Sequence, residues 1–115
     1  SYPPRPAGWG GGPTIPDMLS ELGERGFKTT ELPKSSIESL VKQSSENAPV
    51  LLFTTAMKDN ERHVFVLMGE RAMAGGGSMP MVADMAGGLS YGPVTWQKLA
   101  THYSFEPLAA YKVTR

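Results

Sequence analysis

The chain has 115 residues, 40% apolar and 19% charged, which fits one globular domain with a modest core and excludes a disordered chain. Eleven basic residues balance eleven acidic ones, so bulk electrostatic coating of nucleic acid is excluded, although a local basic cleft is not. With no cysteine there is no disulfide, thiolate metal site or thiol nucleophile, and no apolar run approaches the roughly 18–20 residues that cross a bilayer.

Residues 1–13, "SYPPRPAGWGGGP", read as a proline- and glycine-rich arm or linker. The arm lacks the basic-then-apolar order of a signal peptide. Residues 14–115 read as a single domain. In "TIPDMLSELGERGF", Thr14 or Asp17 caps a short helix with Met18, Leu19 and Leu22 on one stripe, and Gly23 and Gly26 sit where it would end. "SSIESLVKQS" has Ser35 and Glu38 at capping-box spacing and Ile37, Leu40 and Val41 on one face, which predicts a second helix over about 35–45.

The pattern then changes. "PVLLFTTA" (49–56) and "RHVFVLMG" (62–69) read as two buried strands joined by the turn "KDNE" (58–61). Residues 71–80 read as a loop, 80–85 as a third strand and "AGGLSYGP" as a second glycine-rich loop. A helix over 94–103 and a last strand over 108–114 follow. Helices first and strands after them predict an α+β fold, with N-terminal helices packed on an antiparallel sheet.

His63 opens the second strand. Alternation puts it with Phe65 and Leu67 on one face, and Arg62, Val64, Val66 and Met68 on the other. A histidine there can act as a general base, because its ordinary pKa lies near neutrality. Asp84 ends an apolar strand beside two glycines, and a carboxylate on a neighbouring strand can orient an imidazole.

The stretch "RHVFVLMGERAMAGGGSMPMVADMAGGLSYGPVTWQKLATHY" resembles the C-terminal half of papain-fold toxin domains of bacterial polymorphic and contact-dependent growth inhibition toxins. His63, Asp84, Gly87, Gly88 and Trp96 follow that family's order over about 40 residues. The resemblance implies a papain-like half-barrel arrangement. It also implies delivery from the cell surface or by secretion as part of a larger protein, action in the target-cell cytoplasm, and a cognate immunity protein as partner. The family's cysteine at the start of the first helix is missing. Thr14 and Ser20 are the hydroxyls nearest that place, and an alcohol is hard to ionise without a strong base.

Acid–base cleavage of RNA, tRNA included, needs no protein nucleophile. The ribose 2′-hydroxyl attacks, and the protein supplies a base, an acid and a cation. His63 is the candidate base, with Asp84 as its orienting carboxylate. His102 or a tyrosine (Tyr91, Tyr103 or Tyr111) is the candidate acid. Arg62, Arg71 and Lys98, with Tyr91, are the candidate substrate contacts, and Lys112 is a further candidate cation. The reaction calls for no cofactor and no metal, and two histidines 39 residues apart are a poor zinc pair. A neutral nuclease binds RNA weakly, and the resemblance to toxin domains of this kind then implies a host translation factor as a further partner. Two alternatives compete. One is a papain-like hydrolase or deamidase whose nucleophile is an alcohol or a cysteine this chain lacks. The other is a non-enzymatic binding module such as an immunity protein.

Overall fold

The computed structural model describes residues 14–55, 62–84, 90–102 and 107–115. At Thr55, Arg62, His63, Asp84, Ser90, Tyr91, residues 100–102, Pro107 and Leu108 it describes the backbone alone. The chain order is α1 (Ile15–Glu24), β1 (Lys28–Leu32), α2 (Ile37–Gln43), β2 (Val50–Thr55), β3 (Arg62–Ala72), β4 (Ser78–Asp84), β5 (Ser90–Pro93), α3 (Trp96–His102) and β6 (Pro107–Thr114). The fold is α+β. Its six-stranded sheet is antiparallel throughout, in the order β1-β6-β2-β3-β4-β5.

α1 starts where the sequence indicates. The Thr14 hydroxyl accepts from the Asp17 N–H at 3.3 Å, and the Asp17 carboxylate accepts from the Thr14 N–H at 2.9 Å. The helix ends in a Schellman motif. Phe27 N–H donates to the Leu22 carbonyl and Gly26 N–H to that of Gly23, with Gly26 at φ 89°. α2 departs from expectation at its cap. Ser36, not Ser35, accepts from the Ser39 N–H, so the Ser35–Glu38 box does not form. Ile37 is thus the first helical residue, and Leu40 and Val41 are turned into the core.

Two strands were not expected. β1, "KTTEL", is an edge strand with charges at positions 28 and 31, so it shows no apolar alternation; it is held by pairing with β6. β5, "SYGP", forms the other edge, where Pro93 lacks an N–H without disrupting a central ladder. The expected loop over 71–80 shrinks to a hairpin over 73–77. β3 runs on to Ala72, and Gly76 and Gly77 supply the positive φ angles of 93° and 75°. The expected turn at 58–61 lies outside the described residues.

The helices cover both faces of the sheet. On one face, Leu40 and Val41 of α2 and Leu99 of α3 join Val50, Leu52, Phe65, Leu67, Val82 and Ala110 in the core. On the other, Met18 and Leu22 of α1 line an apolar groove of about 240 Å³ with Leu51, Val64 and Val66. Trp96 anchors the start of α3 by donating its indole N–H to the Ser78 carbonyl at 3.1 Å. No helix among the described residues is long and apolar enough to cross a membrane.

Candidate functional site

The topology gathers several chemistry-bearing positions at one end of the sheet. β2 ends there at Thr55 and β3 begins there at Arg62. β4 ends there at Asp84, paired with Ser90 at the start of β5. β6 begins there, with Pro107 opposite Thr54.

The ladder between β3 and β4 relates the two residues the sequence singles out. Asp84 pairs with Phe65, and His63 stands two positions before Phe65 on the same strand. In an antiparallel pair, opposed residues share a face, and so do residues two apart on a strand. Positions 63 and 84 are therefore diagonal neighbours on the Phe65 side, where diagonal separations are about 7–8 Å. The described side chains of β3 follow the predicted alternation: Phe65 and Leu67 are buried, and Val64, Val66 and Met68 are half-buried.

α3 lies on that same side: its first residue, Trp96, is tied to Ser78 at the start of β4, and Leu99 belongs to the same buried cluster as Phe65 and Val82. His102 closes the helix, and five peptide steps separate it from Pro107. That span is at most about 18 Å. Lys98 is exposed and precedes His102 by one helical turn.

Other candidates separate from this group. Arg71 pairs with Met79 beside the hairpin over 73–77, at the opposite end of β3. It is nine positions from Arg62, or roughly 30 Å at about 3.3 Å per residue. The strand runs past Gly69, and this removes Arg71 from the site around His63. Tyr91 pairs with Ala83, so its position belongs to the opposite face from Asp84. Arg62, adjacent to His63, also alternates to that face while staying at the same sheet end. Tyr103, Gly87 and Gly88 lie outside the described residues.

Tyr111 is likewise removed from the acid–base group. It sits opposite Leu51 and Glu31, on the α1 side, with its ring edge-on to Phe53 at 6.0 Å. Its hydroxyl donates to the Glu31 carboxylate at 3.5 Å. Burial, followed by the Glu31 charge and hydrogen bond, pushes the phenol above its ordinary value of 10.0. A raised pKa in the folded state contributes stability that is present below the ordinary value and lost as pH rises through the folded value. Melting curves at about pH 8 and about pH 11 are expected to show a steeper alkaline loss for the wild type than for Tyr111→Phe. Equal losses would mean that the fold does not raise the phenol above its ordinary value.

One residue at this end escapes sequence reasoning altogether. Thr54 is fully buried, directly opposite His63 in the β2–β3 ladder. The available signal was its phase, since alternation in "VLLFTT" puts a hydroxyl in line with Val50 and Leu52. Among the described residues, no group of three or more His, Asp or Glu side chains is arranged to hold a metal ion. No family model, curated protein or solved structure matches this chain.

Proposed function

We propose that this chain is an antibacterial toxin domain that cleaves RNA by general acid–base catalysis. One observation carries the reading: a single end of the sheet collects the positions of His63 and, on the adjoining strand, Asp84. In this reading His63 removes the proton from the ribose 2′-hydroxyl, whose oxygen forms a bond to the adjacent phosphorus. The bond from phosphorus to the 5′-oxygen breaks, and His102 donates a proton to that oxygen. Asp84 orients the His63 ring. Lys98 on α3, and Arg62 at the same sheet end but on the other face, are the candidates to offset the phosphorane charge. The balanced net charge means that these few cations, and not a general basic surface, would hold the RNA. The reading includes tRNA as a substrate, a cognate immunity protein, help from a host translation factor, and delivery as part of a larger protein.

The test is induced expression of residues 1–115 in bacteria, wild type beside His63→Ala, with total RNA run on a gel. Growth arrest and new RNA fragments are expected in the wild type alone. Intact RNA in both cultures, or fragments in both, would sink the assignment.

A second reading has its own support. A strand opened by histidine, an adjoining strand ended by aspartate and a following helix with Trp96 are the order of the papain-like resemblance. The alcohols of the chain do not complete such a site. The Thr14 hydroxyl is buried as the α1 cap, and α1, which also carries Ser20, packs on the opposite face of the sheet. A papain-like hydrolase or deamidase would therefore need a thiol from outside these residues. It predicts that the chain alone leaves RNA intact.

A further inference from the structure

β2 brings a buried hydroxyl to the proposed site. Thr54 is 0% exposed, and its Oγ1 has no hydrogen-bond partner among the described residues. A buried hydroxyl left unpaired costs about 1–3 kcal/mol. Valine has the same shape, favours strands and would avoid that cost. Stability alone therefore gives no reason for threonine here.

The backbone pairing identifies the neighbour. Thr54 is directly opposite His63, and opposed residues in an antiparallel pair have Cβ atoms about 4.5–5.5 Å apart. On its other side the register shifts between Phe53 and Thr54, and Thr54 meets Pro107, a residue with no N–H to offer. β3 lies between β2 and β4, so position 63 has Thr54 on one side and Asp84 diagonally on the other.

We propose that Thr54 is a positioning residue for His63, placed directly opposite it across the β2–β3 ladder, with position 84 diagonal to it on β4. A hydroxyl suits a group that changes protonation state. It donates to a neutral imidazole nitrogen and accepts from an imidazolium N–H, whereas a carboxylate only accepts. The inference rests on reading His63 as the base. Among the described residues, the titratable groups on the elements around this end include Asp84 from β4, His102 and Lys98 from α3, and Arg62 beside His63 on β3. The neighbouring residues of β2 and β6, Thr55 and Pro107, do not titrate.

The test is an NMR titration of the His63 ring in the free protein, in wild type, Thr54→Val and Thr54→Ser. Replacing the hydroxyl by a methyl removes a partner of the charged ring, so the valine variant is expected to titrate about half a unit lower. The serine variant is expected to titrate as the wild type does. An unchanged midpoint in folded Thr54→Val, with a gain in melting temperature, would overturn the proposal and leave Thr54 a mere orphan hydroxyl. Should the valine variant not fold, Thr54→Ala against Thr54→Ser asks the same question, and equal midpoints overturn it. The readout uses no RNA, so it fails separately from the ribonuclease assignment.

Discussion

Asp84→Asn is expected to slow RNA cleavage by about 10²–10⁴-fold, the range a positioned acid–base group contributes. Asparagine keeps the size of the side chain and its place at the end of β4, where the backbone pairs with Phe65. It loses the charge that favours imidazolium as His63 takes up the 2′-hydroxyl proton, and its amide offers a donor where the ring needs an acceptor. If Asp84 acts through His63, the two losses do not add. The double variant His63→Ala/Asp84→Asn is then expected to be hardly slower than His63→Ala, because a group that orients a missing base has nothing left to do. Single-turnover cleavage of one defined RNA by the purified chain and its variants measures this, with melting curves as the control for folding. Additive losses would show that Asp84 acts on the substrate or elsewhere. Wild-type rates for Asp84→Asn would remove it from the mechanism.

How much of this was legible in the sequence depended on where each residue sits in the sheet. β2, β3 and β6 lie inside it, with neighbours on both sides, and the continuous apolar runs at 50–53, 64–68 and 108–111 announce them. β1 and β5 are edges. Their sequences, one charged and one built around Gly92 and Pro93, carry no apolar pattern because their stability comes from partners far along the chain. The α2 cap was ambiguous by one residue, since Ser35 and Ser36 are chemically equal and only the burial of Leu40 and Val41 selects the second. The site shows the same division. The phase of His63 and the strand-end place of Asp84 follow from alternation, which is local. Arg71 looked near because it is close in sequence, but an eleven-residue strand carries it to the other end of the sheet. Thr54 was missed because a β-branched residue in a strand is unremarkable until its neighbour across the ladder is known.

The overrun of β3 past Gly69 has a structural cause, and it makes Gly69→Ala the costliest glycine substitution among the described residues. Gly69 has φ 80°, and the ladder to β4 shifts between Leu67 and Glu70 around it. Its N–H donates to the Ser44 hydroxyl at 2.8 Å, and that hydroxyl donates to the Val41 carbonyl at 2.6 Å. Ser44 thus ties the end of α2 to the middle of β3. A Cβ on residue 69 would meet the Ser44 carbonyl oxygen and the Ser45 Cα at 3.3 Å, both backbone atoms with little room to give. The positive φ alone costs an alanine about 1–3 kcal/mol. Pushing α2's end from the strand adds the loss of a buried hydrogen bond, about 1–3 kcal/mol more. Gly76 separates the two effects. Its φ is 93°, but a Cβ there would meet nothing within 4 Å. Gly76→Ala is therefore expected to lose the conformational part alone, while Gly69→Ala loses about 2–6 kcal/mol, a large fraction of a small domain's stability. Urea unfolding of both variants measures the difference. Equal losses would mean that the approach of Ser44 to Gly69 does not constrain the fold, and α2 would then be held to the sheet by Leu40 and Val41 alone.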